Sequence, residues 1–321
     1  MILVCGIPSE TPLRMVISRL EEMGAPFVVF NQRHFANCEM RFEVNGQEVS
    51  GELRIGERAY NLQEFVGVYP RMMDDRSLPE LSNEPPDSNL RNYCRSLHET
   101  LTRWMEIAPA RVINRCAPMA SNSSKPYQSQ LIREHGFLIP EILITTNPEL
   151  VRGFRARHGR VIYKSISAVR SIVQELTDED EERLDRIRWC PTQFQQFVEG
   201  TNLRVHTIGN EVFATAVRSE ATDYRYAARQ SGEPAELREV TLSDELTEQC
   251  LRLAHALGLE FAGIDLKVTP DNEVYCFEVN PCPGYSYYEA NTGQEISAAV
   301  ARALVSGTGS KKEEVGALAH A

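Results

Sequence analysis

The stretch GIDLKVTPDNEVYCFEVN carries three oxygen donors at strand spacing. Asp265 lies between the apolar Ile264 and Leu266. Glu278 and Asn280 flank Val279, so these two polar residues share one face of an extended segment. If the turn at Pro270, Asp271 and Asn272 joins two adjacent strands, Asp265 lies beside Glu278. A carboxylate, a second carboxylate able to bridge two ions, and an amide then converge. Hard Mg2+ ions holding a nucleoside triphosphate take such donors, with water and phosphate completing their shells. A solvent-facing sheet would also carry polar residues, but acids among so many apolar neighbours are costly unless something pairs with them. Upstream, Arg204 in NLRV and Arg218 in AVRS fall on successive candidate strands, where guanidinium forks can hold carboxylate or phosphate.

These residues need a scaffold, and the chain supplies one in two textures. ILVCG, an amphipathic stretch from Thr11 to Met23 and PFVVF read as strand, helix and strand opening a small parallel sheet. RFEVNGQEVSGELRIG has Asn45-Gly46 at its centre, a hairpin signal, and FVGVY closes the region. The Pro- and Asn-rich LPELSNEPPDSN predicts a loop before a helix over Ser88–Ile107, whose Leu90, Tyr93, Leu97, Leu101 and Trp104 recur at helical spacing. From RVINR onward the elements shorten. SSKPYQSQLIREHG, NPELVRGFRARHG, the acidic DEDEERLDRI, LSDELTEQCLRLAHALG and GQEISAAVARALV read as helices. EILITT, RVIYKSI, TQFQQFV, LRVHTIG, EVFATAVRS, FAGIDLKVT and NEVYCFEVN read as strands, and NPCPGYSYYE as a loop.

From Ser121 to Leu304 the chain resembles the RimK-like branch of the ATP-grasp ligases. The resembling stretches are SNSSKPYQSQLIREHGFLIPEILITTN, RVIYKS, QFQQFVEGTNLRVHTIGNEVFATAV, AGIDLKV and FEVNPCPGYSYYEANTGQEISAAVA, in that order. The resemblance implies an α/β and α+β architecture: a small N-terminal α/β domain (1–115), then two α+β subdomains (116–198 and 199–306) enclosing the nucleotide. The tail 307–321 reads as disordered. It also implies that Lys125 and Lys164 meet the nucleotide phosphates. Gln196, Phe197 and Val198 would form the hinge strand that reads adenine, and Glu199 and Asn202 would meet the ribose. Arg204 matches a family position. Asp223 and Arg225, in DYR, fall where the family has a substrate-facing loop, and Arg225 is the expected partner of an acyl phosphate. Arg71 in YPRMMDD would face the cleft and meet substrate. One departure is plain: SISAVRSIV, after Lys164, lacks the glycines with which many ATP-grasp chains cover the phosphates. Backbone amides with Ser165 or Ser167 would have to serve instead.

The implied chemistry is carboxylate activation by ATP with two Mg2+ ions, for which Mn2+ can substitute. An acyl phosphate and ADP form, and an amine or hydroxyl then displaces phosphate. The acceptor is an amino acid or a peptide. Likeness in length, in SEATDYR and in TGQEI to the graspetide (microviridin-type) branch adds side-chain crosslinking of a precursor peptide as a special case. A nucleotide-binding regulatory protein without turnover is the competing class, and the full oxygen set argues against it. Homo-oligomers are common in the family.

Composition sets the outer limits. The 321 residues carry 45 acidic against 34 Lys and Arg side chains, a net charge of −11, which argues against nucleic acid or anionic membrane as partners. No apolar run approaches the roughly 18 to 20 residues of a membrane span, so a cytoplasmic location is expected. Eight singly scattered cysteines read mostly as buried thiols in a reducing compartment. Cys282 near the donor set lacks a histidine motif that would make it a nucleophile.

Overall fold

The structure is a computed structural model that describes residues 1–165, 173–219 and 235–307. In chain order, β1 (Ile2–Gly6) and β2 (Phe27–Asn31) flank the helix Thr11–Glu22. Next, β3 (Cys38–Asn45), β4 (Glu48–Ile55) and β5 (Arg58–Asn61) form an antiparallel three-stranded sheet. Then β6 (Gly67–Arg71) and β7 (Arg111–Val112) rejoin the first sheet, parallel throughout in the order β2-β1-β6-β7. The all-buried β1 is what a parallel strand covered on both faces requires. The expected hairpin at Asn45-Gly46 is the β3–β4 turn, with Asn45 opposite Glu48.

The helix Asn89–Ile107 starts at Ser88, whose hydroxyl accepts from Arg91 N at 3.2 Å. Its buried face is Cys94, Leu97, His98, Leu101, Trp104 and Met105. Tyr93, expected inside, is 40% exposed and instead uses its hydroxyl, donating to Cys38 O at 2.5 Å. Trp104 and its neighbours pack against Phe30, Phe35 and Phe65 in one core of the front region, each such side chain contributing roughly 1.5–3 kcal/mol on burial.

Four strands follow, β8 (Ile142–Thr145), β9 (Val161–Ser165), β10 (Gln174–Glu175) and β11 (Thr192–Gln196), in an antiparallel sheet ordered β10-β9-β11-β8. The helix Pro148–His158, capped by Asn147, covers it through Val151 and Phe154. The largest sheet holds β12 (Thr201–Ile208), β13 (Glu211–Arg218), β14 (Glu236–Val240), β15 (Phe261–Val268) and β16 (Val274–Asn280), in the order β14-β13-β12-β15-β16. One face, with Leu203, Val205, Ala214, Ile264 and Leu266, packs on the helix Asp244–Ala256. On its other side, Ile208, Val217 and Phe261 share a core with Leu13, Val16 and Leu20 and with the helix Ile296–Ser306.

Three local expectations change. NPCPGYSYYE is not all loop, because Ser286–Thr292 is a two-turn helix stopped by Gly293 at φ 77°. Seven residues are too few for periodicity to register. The acidic segment is one α-turn, Asp178–Glu181, followed by a 3-10 turn over Leu184–Trp189, since it buries only Leu184 and offers no apolar stripe. Strands β5, β10 and β14 are short or polar and carry no alternation.

Candidate active site

Strands β15 and β16 meet with Asp265 opposite Glu278 and Gly263 opposite Asn280. A regular ladder would not give this pairing. Below it Leu266 faces Cys276, so Phe277 is an extra residue, a β-bulge between Asp265 and Leu266 on the partner strand. Continued without the bulge, the ladder would set Glu278 opposite Ile264, on the face that packs the core. The bulge therefore delivers the second carboxylate to the same face as the first.

Each carboxylate has a cation in contact. Arg204, directly across from Asp265 on β12, places Nη1 at 2.6 Å from Asp265 Oδ1. Its side chain is only 6% exposed, and its guanidinium also lies 5.7 Å from the Tyr288 ring centroid. Lys125 Nζ sits 2.5 Å from Glu278 Oε1 and donates to Asn122 Oδ1 at 2.7 Å. Asn280 Oδ1 accepts from Cys282 N at 2.9 Å, an arrangement that fixes the amide and leaves oxygen lone pairs for another partner. His206, fully buried on the same face, accepts from Arg204 Nε through Nε2 at 3.4 Å. Burial first, and then Arg204, drives its pKa well below the usual imidazole range, so the ring is neutral.

The segment after β11 is held through its backbone and by stacked cations. Lys267 Nζ donates to Val198 O at 3.0 Å and stands 5.2 Å from the Phe197 ring centroid. Arg160 covers that ring at 3.6 Å and pairs with Glu199 at 2.9 Å. Burial, then Arg160, lowers the Lys267 pKa, while Glu199 opposes the shift. Gln196 is turned to Glu141, whose N–H donates to Gln196 Oε1 at 3.3 Å. Asn202 faces Lys267 across the ladder. Lys164 is half-buried on β9 opposite Gln193, on the face turned away from the Val161 and Phe194 core.

A cleft of about 820 Å³ reaches the two residues that follow Asn280, Pro281 and Cys282, and has Met72, Met73, His98 and Met119 in its wall. Arg71 also lines it, with Nη2 at 2.7 Å from Glu10 Oε1 and Nη1 donating to Pro283 O at 3.3 Å. At the inner end, buried Asn114 ties three segments together. Its Nδ2 donates to Phe261 O and Pro281 O, each at 2.6 Å, and its Oδ1 accepts from Glu260 N at 2.8 Å and Phe261 N at 3.0 Å. Cys282 meets Arg71 Nη1 at 3.4 Å, and although part of the residue reaches solvent, desolvation raises its thiol pKa. That is the wrong direction for a nucleophile.

Residues 130–304 match the RimK-like ATP-grasp domain. The chain belongs to that family. A probable alpha-L-glutamate ligase of Xylella fastidiosa is 34% identical over 143 residues, covering 43% of this chain and 43% of that protein. The chain thus spans less than half of the length of that relative. Among solved structures, the ATP-grasp ligase PsnB complexed with minimal precursor, Mg and ADP superposes with a TM-score of 0.76 at 27% identity, covering 96% of this chain and 97% of that one. The macrocyclase MdnC of Microcystis aeruginosa, bound with precursor peptide MdnA, gives a TM-score of 0.76 at 24% identity, covering 95% and 99%.

Within this RimK-like chain the structure brings Asp265, Glu278, Asn280, Arg204 and Lys125 together and leaves Arg218 apart. Thr215 pairs with Arg204, and Arg218 is three residues beyond it, so alternation turns Arg218 to the opposite face, where it is exposed. Proximity of strands in sequence could not reveal that parity. Asp223, Arg225 and the glycine-free loop at 166–172 lie outside the described residues, as does 308–321. Residues that motif reading passed over are Lys267, Arg160, His206, Gln128 and Asn114. For Lys267 a signal existed, since it falls two residues beyond Asp265 on the same face. Among the described residues no group of three or more His, Cys, Asp or Glu forms a metal cluster. The oxygen-only set of two carboxylates and an amide fits a hard cation whose shell phosphate completes. No helix of the described residues is long and apolar enough to cross a membrane.

Proposed function

We propose that this protein is an ATP-dependent ligase that activates a carboxylate as an acyl phosphate, releases ADP and phosphate, and joins the acid to an amine or hydroxyl of a peptide. The reading rests on one observation: Asp265, Glu278 and Asn280 converge on one sheet face beside Arg204 and Lys125. Mg2+ bound to those oxygens would neutralise charge on the β- and γ-phosphates. Lys125, released from Glu278 by a cation, would swing its ammonium to phosphate. Arg204 holds Asp265 in place and adds positive potential where negative charge develops. Lys267, Phe197 and Val198 would frame the base. Arg225 is assigned the acyl phosphate and Asp223 the acceptor, from sequence alone.

A peptide acceptor is favoured over a free amino acid by two supports. The end-to-end likeness to PsnB extends over a ligase crystallised with its precursor. The 820 Å³ cleft is in the range that takes ligands larger than a single residue. Crosslinking between side chains of one precursor is the special case we favour.

The deciding experiment supplies ATP, Mg2+ and carboxylate-bearing peptides and separates nucleotide products. ADP release dependent on the peptide is expected, with Asp265→Asn and Glu278→Gln reduced about 10²–10³-fold, on the order of losing electrostatic stabilisation of the transition state. AMP as product, or wild-type turnover in either variant, would refute the mechanism.

A further inference from the structure

Between the two donors of β16 stands Val279, and one side chain grips its backbone on both sides. Gln128 Nε2 donates to Val279 O at 2.8 Å, and Gln128 Oε1 accepts from Val279 N at 3.1 Å. Gln128 is 1% exposed, so water does not compete for either bond. Because β16 is the outer strand of its sheet, its outward N–H and C=O groups need partners. Leu138 supplies them lower down, accepting from Cys276 N at 2.9 Å and donating to Val274 O at 3.2 Å. At the donor end Gln128 acts as a one-residue extension of the sheet.

The geometry gives this contact a specific consequence. The N–H of Val279 belongs to the peptide unit shared with Glu278, and its C=O to the unit shared with Asn280. Fixing both sets the directions in which the Glu278 and Asn280 side chains leave the strand. The bulge at Phe277 has already interrupted the inner ladder just below, where strand pairing holds least. Gln128 lies on the helix Lys125–Glu134, and one turn earlier on it Lys125 contacts the Glu278 carboxylate itself. The first turns of this helix therefore hold both donors by their backbone, a grip that does not depend on Lys125 staying with Glu278.

We infer that Gln128 is a positioning residue for the divalent cation: it never touches the metal but sets the aim of Glu278 and Asn280. The inference rests on the proposed role of Asp265, Glu278 and Asn280 as metal ligands. Outer contacts of this kind change metal affinity by about 10–100-fold when removed.

The test measures Mn2+ binding to the full chain with ADP present, by the electron paramagnetic resonance signal of free Mn2+, beside ADP affinity without metal and thermal melting. Gln128→Met removes both bonds at similar size, and Gln128→Glu keeps the acceptor but sets an anionic oxygen against the Val279 carbonyl. Both are expected to weaken Mn2+ binding at least about tenfold, with metal-free ADP affinity unchanged. Gln130→Ala, exposed on the same helix, is expected to bind as wild type. Wild-type Mn2+ affinity in both Gln128 variants, a parallel loss of metal-free ADP affinity, or failure of both variants to fold would overturn the inference. Equal Mn2+ binding by wild type and Asp265→Asn would instead remove the metal assignment beneath it.

Discussion

At residue scale, the neutral imidazole of His206 makes a pH prediction with a definite sign. Its folded pKa lies well below the usual 6.5, because burial and then Arg204 disfavour the charged form. In the unfolded chain the ring titrates normally. Below about pH 6.5 the unfolded state therefore binds a proton that the native state refuses, so stability falls as pH falls. The loss is on the order of 1 kcal/mol one unit below that point. His98 contributes in the same direction, lowered by burial with Asp75 opposing. Urea unfolding at pH 7.5 and 5.5 should show the wild type losing on the order of 1 kcal/mol more than His206→Phe on acidification; equal losses would contradict a suppressed pKa. Much of the donor set was legible from residue types alone, because Asp265, Glu278 and Asn280 are polar atoms in apolar company. His206, Gln128 and Asn114 were not, since a buried polar residue takes its meaning from partners distant in sequence.

At the scale of elements, the bulged pair β15–β16 and its neighbour β12 define the site, and Gly263 controls how closely they approach. A side chain there would collide with the Arg204 guanidinium and would lie 2.7 Å from Pro283 Cβ. Only glycine lets the arginine pass over the strand to Asp265. Gly263→Ala is expected to cost roughly 1–3 kcal/mol, as overpacking does, and to reduce ADP release at least tenfold by displacing Arg204. A melting temperature and rate both at wild-type level would show that the arginine has room to move. The strands and helices around this region were readable because each long element carries its own period. The bulge was not, because one extra residue changes register without changing composition. Nor was the face of Arg218, which depends on pairing with β12.

At the scale of the molecule, Asn114 is the joint between the front sheet and the five-stranded sheet, standing two residues after β7 and bonding to the start of β15 and the loop after β16. Replacing it with leucine leaves Glu260 N, Phe261 N and O and Pro281 O without their partner. A loss of about 3–5 kcal/mol follows if each strands a buried polar group at part of its desolvation cost. Calorimetry of Asn114→Leu checks this, and an unchanged midpoint would mean the joint is redundant. The change from a parallel sheet at the front to antiparallel sheets further on was legible from texture, since the two kinds of sheet are patterned differently. What texture could not convey is how the ends meet. The helix Ile296–Ser306 packs on Thr11–Glu22, so the earlier helix finds this neighbour only after all the residues between the two have been synthesised. Leu13, Val16 and Leu20 must wait until then with an apolar flank uncovered. The front region is therefore completed by residues far downstream of it, and its waiting flank is a nascent surface that a chaperone would have reason to shield.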